Sequence, residues 1–331
     1  MTSPLANNRG VALLTTLLVL VFMVVITLNF GSVIRRNLTG AAYSMTRIDL
    51  QQRARSTVSL ASSVLYADQK LNHHDSLLDH WANQPWLKQQ ADTLFDDGAI
   101  DLTIDDHSGR LQVNALITAE GAFEPEQKNR FMRLLTSEEI RVSPEEAGQI
   151  LDAIKDWLDP DDDITEFGAE NSWYQTLAAP YSCRNGPIAS IDELLLVRGI
   201  SDELLYGTEV RPGIAQFFTP YGTDCLVNIN TANSIVLRTL SEGIDQATVE
   251  ALLAYRTDHA HDLASTDWYK SVYGDLHIPM ITVNSSFFEI RIQGNLRNVT
   301  IRALAMMYRP HKPALPENTP LPPIMISWQV E

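Results

Sequence analysis

The first pattern along the chain is an unbroken apolar run. Residues 11–34, VALLTTLLVLVFMVVITLNFGSVI, carry no charge. As a helix rising 1.5 Å per residue the run is roughly 36 Å long, enough to cross a bilayer core of about 30 Å with some tilt. Beyond Arg35 and Arg36 the pattern changes without a break. Apolar positions return every three or four residues, at Ile48, Ala54, Val58, Ala61 and Leu65, as on an amphipathic helix. No proline occurs between Pro4 and Pro85. The spacing predicts one rod over residues 11–71, about 90 Å long. Gly31 and Gly40 are its weak points, where a bend or local melting costs least.

After the rod, residues 72–97 are polar, with Trp81 and Trp86, and read as a short helix with loops. Residues 99–105 (AIDLTID) alternate apolar and polar, as a half-buried strand does. His107-Ser108-Gly109 reads as a turn and residues 110–113 as the strand returning from it. Residues 115–280 read as mostly helical, through QKNRFMRLL, PEEAGQILDAIKDWL, SIDELLLVRGI, SIVLRTL and ATVEALLAYR. Residues 286–308 are rich in β-branched and aromatic side chains, and a turn within 293–298 divides them into a hairpin. Prolines at 310, 313, 316, 320, 322 and 323 predict an extended tail. Strands, then helices, then strands: the simplest topology is an α+β fold, one small sheet packed on the rod with a helical unit inserted between its strands.

The apolar run admits three readings. A cleaved secretory signal needs a shorter apolar core and small residues at the cut, and neither is present. A plain membrane anchor fits. So does a leader of prepilin type, a short basic peptide ending in glycine with the apolar helix directly after the cut. Asn8-Arg9-Gly10-Val11-Ala12-Leu13-Leu14 has that form, with cleavage between Gly10 and Val11.

Composition narrows the function classes. The chain has 331 residues, 45% hydrophobic and 20% charged, which excludes wholesale disorder and allows two domains of ordinary size. Its formal charge of −16 repels polyanions, so nucleic acid is a poor main partner. Two cysteines, Cys183 and Cys225, exclude a four-cysteine zinc site. They form one bridge if the compartment is oxidising, and two buried thiols otherwise. The eight histidines show no metal-ligand spacing. No G-x-S-x-G, P-loop or dinucleotide fingerprint occurs, and no catalytic constellation emerges. A calcium-dependent binding protein or hydrolase with an uncommon site is a further reading; an activity screen without a hit, and a melting temperature that rises with calcium, argue against the hydrolase.

The chemistry that remains is acidic. From Asp159 to Glu170 the chain reads DPDDDITEFGAE. With Asp159 as the first position, acids stand at the first, third, fifth and twelfth, namely Asp159, Asp161, Asp163 and Glu170, as in an EF-hand loop. The sixth position, glycine in an EF-hand, is Ile164, and Pro160 is unusual there. A looser loop for Ca²⁺, a hard cation that takes oxygen ligands, stands against a solvated acidic loop that caps a helix. Four carboxylates so close repel one another unless a cation offsets them, which favours calcium in a structural role.

Two helical hairpins follow. In SIDELLLVRGI, Ser190 with Glu193 reads as a capping box and Gly199 as a helix stop. VNINTA (227–232), a helix, Glu242-Gly243-Ile244-Asp245 and a second helix resemble a helix-hairpin-helix. That module binds DNA phosphates through hairpin amides, but Asp245 replaces the second glycine and Glu242 lies beside it. Helix packing is the better reading, and a membrane-anchored DNA-uptake protein the alternative.

Taken in order, these segments resemble the minor pseudopilin K of type II secretion systems, the GspK family. The likeness rests on Arg9-Gly10-Val11-Ala12-Leu13, the acidic segment from Asp156 to Glu170, ELLLVRGI (193–200), residues 227–232 and the carboxyl-terminal hairpin. Thr15 stands at the fifth mature position, where most pilin-like subunits carry glutamate and the K subunit does not. The resemblance implies a non-enzymatic pilin-like fold with a large helical insertion. Its parts are a leader (1–10), a transmembrane half-helix (11–34), the periplasmic helix and first strands (35–114), the insertion (115–281), a β-hairpin (282–309) and the Pro-rich tail (310–331). It further implies cleavage by the prepilin peptidase, N-methylation of Val11, and calcium held by Asp159, Asp161, Asp163 and Glu170, with Asp156 as an outside candidate. The place implied is the inner membrane with the globular part in the periplasm, then the pseudopilus tip beside minor pseudopilins I and J and the other pseudopilus subunits.

Overall fold

The fold is described from a computed structural model over residues 9–310 and 320–331. One helix, α1 (Arg9–Leu71), runs through both predicted halves of the rod and continues past Gly31 and Gly40. It starts two residues before Val11, so Gly10 and Val11 lie in its first turn; residues 1–8 of the expected leader are outside the described residues.

The distal half of α1 earns its place by packing. Leu50, Ala54, Val58, Ala61 and Leu65 are buried, one stripe at helical spacing. Ile48 is off that stripe and exposed; the inward residue of that turn is Leu50. The stripe meets a four-stranded antiparallel sheet: β1 (Ala99–Asp106), β2 (Phe287–Leu296), β3 (Val299–Tyr308) and β4 (Ile324–Val330), in that spatial order. In-register residues form layers on the helix side: Leu102, Ile292 and Ala303, then Ile104, Ile290 and Ala305. Each large side chain so buried contributes about 1.5–3 kcal/mol. Trp81 and α2 (Gln84–Asp92), through Leu87 and Ala91, close the side of this core. At Gly294 the helix comes close: a Cβ there would stand 3.1 Å from Leu50 Cδ2.

The hairpin turn is tighter than expected, only Arg297 and Asn298, both at positive φ. That two-residue form matches the right-handed twist of its strands. The tail is not simply extended. Ile324–Val330 pairs with β3 as the edge strand, with Pro322 and Pro323 placed just before it, where no ladder N–H is needed. Residues 311–319 are outside the described residues.

Residues 110–113 do not return beside β1. Leu111–Gln112 instead pairs in parallel with Phe218–Thr219, because the chain leaves the sheet after Asp106 and rejoins it at Phe287. The excursion has its own apolar core, distinct from the one under α1. Its longer helices are α3 (Pro125–Leu135), α4 (Pro144–Leu158) and α8 (Gln246–Thr257), whereas α5 (Asn171–Tyr174), α6 (Asp202–Leu205) and α7 (Ser234–Thr239) are short. Segments between them are loops, short 3₁₀ stretches and two-residue strand pairs, so this part is less helical than its apolar periodicity suggests. SIDELLL forms a 3₁₀ turn, Ile191–Leu196, in which Ser190 accepts the N–H of Asp192 and Glu193 bonds Ala189 N. The reciprocal capping box belongs to Ser143 and Glu146, at the start of α4.

Candidate functional site

The acidic loop begins where α4 ends. Helical spacing puts Asp152, Asp156 and Asp159 on one side of α4 and its C-cap, and all three are buried. The loop folds back over them. Phe167 N donates to Asp152 Oδ2 (3.3 Å), and Thr165 N donates to Asp156 (3.1 Å). Gly168 makes the return possible: a Cβ there would overlap the Asp156 carboxylate and stand 2.9 Å from the Asp152 carbonyl oxygen. The return delivers Glu170, 1% exposed, to Asp159.

Asp159, Asp161 and Glu170 then converge, with one carboxylate oxygen of each within 4.8 Å of the others. Asp163 does not join them. It is exposed, and its backbone N–H donates to Asp161 Oδ1 (2.9 Å). Lys155 Nζ binds Asp159 Oδ2 (2.7 Å), which leaves Asp159 Oδ1 and both Glu170 oxygens buried without a hydrogen-bond donor. Burial, then the neighbouring Asp156 and Asp159 carboxylates, push Glu170 up to about 7. Buried orphan oxygens are rare because each costs desolvation. An all-oxygen donor set with three of them fits a hard divalent cation, whose remaining ligands would be backbone oxygens and water. Sequence spacing named Asp159, Asp161 and Glu170; it gave no sign of Lys155, whose i,i+4 relation to Asp159 was the available signal.

Cys183 and Cys225 are free and buried, so the expected bridge is not formed. Each sulfur is committed elsewhere: Cys183 Sγ lies 3.5 Å from the Asp156 carbonyl oxygen and Cys225 Sγ 3.3 Å from that of Ala115. Burial pushes the two thiols up to about 12 and about 11.

In the helix-hairpin-helix-like unit, Asp245 caps α8. Its Oδ1 accepts the Thr248 N–H (2.8 Å) and hydroxyl (2.7 Å), and these hydrogen bonds hold its carboxyl below the usual range. A carboxylate thus occupies the amides a phosphate would use. Val236, Leu237, Leu240, Ile244, Val249 and Leu252 turn the apolar faces of α7 and α8 into the core of the excursion. Packing accounts for the unit.

The first part of α1 has the opposite character. In its most apolar 18-residue window no residue is buried against the rest of the protein. Leu13, Leu18 and Leu28 are among the large apolar side chains exposed there. Thr15, Thr16 and Thr27 each turn the hydroxyl onto a backbone carbonyl three or four residues back. That satisfies the hydroxyl donor within the helix, as an apolar surrounding requires.

Comparison with known proteins agrees with this architecture. Residues 109–212 match the family model "Type II secretion system (T2SS), protein K". Type II secretion system protein K of Aeromonas hydrophila is 28% identical over 323 residues, 92% of this chain and 93% of the relative. The chain is thus similar to type II secretion system protein K over nearly its whole length. The Pseudomonas aeruginosa protein K is 28% identical over 76% of this chain and 73% of its own length. Among solved structures, a chain of the GspK-GspI-GspJ complex from the enterotoxigenic Escherichia coli type 2 secretion system matches with a TM-score of 0.62. It is 18% identical, and the match covers 87% of this chain and 99% of that one, a likeness of fold.

Proposed function

We propose that this chain is a minor pseudopilin, a non-enzymatic cap for the tip of the type II secretion pseudopilus. The observation that carries the reading is the division of α1: one continuous helix, bare and apolar over its first part and locked to the sheet over its second. A bare apolar half-helix of membrane length has two environments that suit it, lipid and a bundle of similar stems. The subunit sits in the inner membrane with its globular part in the periplasm. The prepilin peptidase cuts between Gly10 and Val11, after which the stem moves into the filament beside minor pseudopilins I and J and the other pseudopilus subunits. The similar solved structure from enterotoxigenic Escherichia coli is a complex of GspK with GspI and GspJ. The bulk of residues 107–286 above the sheet blocks addition of a further subunit, and Thr15 fits a position with no subunit above it. There a carboxylate would be an unpaired charge in an apolar surrounding.

Calcium has a structural part in this reading. Asp159, Asp161 and Glu170 hold it, which offsets their mutual repulsion and ties the loop to the end of α4. Intact-mass measurement of the protein recovered from secreting cells tests the assembly route. The expected mass is that of a chain starting at Val11, with or without one methyl group. A chain that retains Met1, or has lost the stem, overturns the proposal.

A further inference from the structure

The protein has two apolar cores, one under α1 and one in the excursion between β1 and β2; they meet at a buried polar network and, beside it, at Tyr221 stacked on Phe287 with ring centroids 5.5 Å apart. At the crossing, Asp106 is the last residue of β1 and is buried. Its Oδ2 accepts two hydroxyls, Ser285 Oγ at 2.5 Å from the returning chain and Thr231 Oγ1 at 2.6 Å from the excursion. Its Oδ1 accepts Ser108 N at 2.7 Å from the outgoing chain. One carboxylate therefore holds all three strands of the junction.

Asn228 extends the chain of bonds. Its backbone N–H donates to the Ser108 carbonyl (2.7 Å), and its Nδ2 donates to Ser285 Oγ (2.7 Å). Because an amide nitrogen can only donate, the Ser285 hydroxyl hydrogen is left for Asp106, and the direction of the relay is fixed. Ser285 N in turn donates to Asp75 Oδ2 (2.7 Å), and Asp75 pairs with Arg309, which reaches Asp68 on α1 at 3.3 Å. Gly109 lets the outgoing chain pass: a Cβ there would stand 2.7 Å from Thr231 Oγ1 and 2.9 Å from Ala232 N. Beside this knot a cavity of about 440 Å³ is lined from both sides, by Asp68 and Asn72 of one part and by Leu226 and Thr282 of the other. Two cores flanking such a gap would move relative to each other unless a specific contact fixed them.

We propose that Asp106, Ser285 and Asn228 form a buried polar clamp that fixes the excursion rigidly to the sheet and, through Asp75 and Arg309, to α1. The VNINTA segment is thus a docking element for the protein's own sheet. Its asparagines divide the labour: Asn228 faces the clamp, while Asn230 bonds Leu263 O (3.1 Å) and Trp268 Nε1 (2.7 Å) inside the excursion. The inference stands on the junction alone and does not need the tip assignment.

Spin labels at Ser59→Cys and Val210→Cys, both exposed, read the distance between the two parts by pulsed electron resonance in the full chain in detergent. Cys183 and Cys225 are buried and stay unlabelled. The unaltered clamp gives a narrow distribution. Asp106→Ala, and the milder Ser285→Ala, widen it by about twofold, as freed domains do, while near-ultraviolet circular dichroism shows both cores folded. Asn230→Ala weakens the excursion without widening the distribution. Unchanged width in folded Ser285→Ala and Asp106→Ala, or equal widening by Asn230→Ala, overturns the clamp.

Discussion

Lys155 and Asp159 sit one turn apart at the end of α4, with Nζ 2.7 Å from Oδ2. The ammonium satisfies one oxygen of Asp159 and leaves the other facing Glu170 without a donor. One cation from the chain is thus short of balancing the carboxylates gathered there. Calcium is expected to raise the melting temperature, with about 2.7 kcal/mol gained at a hundredfold excess over the dissociation constant. Glu170→Gln removes most of that gain, and Asp163→Asn leaves it nearly intact because Asp163 lies outside the convergent set. Thermal scans of the three proteins with calcium and with a chelator check both outcomes.

Burial pushes Asp106 up to about 6, and hydrogen bonds from Ser285, Thr231 and Ser108 only partly offset it. A carboxyl raised in the folded state keeps its proton longer than in the unfolded chain. Its stabilising share is therefore complete below the ordinary carboxylate range and is lost as pH rises through about 6. Asp106→Asn has no such titration. The difference in unfolding free energy, wild type minus variant, should fall by about 2–3 kcal/mol between about pH 4 and about pH 7. Paired denaturant titrations across that range measure it. His107, lowered by burial, and Asp68, raised by burial, are present in both proteins and largely cancel.

The register of α1 on the sheet separates two neighbours. Leu50 is 1% exposed under Gly294, whereas Ile48 is 58% exposed. Leu50→Ala should cost about 2–5 kcal/mol through the cavity it leaves. Ile48→Ala should stay within about 0.5 kcal/mol. Denaturation of the two variants side by side decides which face is inward.

The buried thiols predict a redox-insensitive fold. Thiolate is the reactive form, and burial holds Cys183 and Cys225 far from it. Neither should react with maleimide until the protein unfolds, and a reductant should leave the melting temperature unchanged. Thiols that appear only after reduction would contradict this.

Much of the architecture was legible because it rests on periodic patterns. The uncharged run before Arg35, the stripe from Ala54 to Leu65 and the alternation of β1 each state a burial face directly. The errors lie where long-range pairing decides. Nothing near Leu111 says that its partner is Phe218, and Ile324–Val330 reads as a tail because its partner strand β3 is separated from it by a proline-rich stretch. The acidic loop was found by spacing, but Asp163 is exposed with its N–H on Asp161 Oδ1, and only the folded loop shows which carboxylates converge. The clamp was invisible in sequence. Asp106, Asn228 and Ser285 are single polar residues far apart in the chain, and only the fold gathers them.

The central claim, that the bare stem and the body above it belong with minor pseudopilins I and J at a filament tip, has one direct test. The full chain is mixed in detergent with the I and J subunits of its own secretion system, and native mass spectrometry reads the assembly. The account predicts one heterotrimer with a single copy of each subunit, lost when residues 11–34 are replaced by an unrelated transmembrane helix. A chain that stays alone at micromolar concentration, with calcium and without, contradicts it.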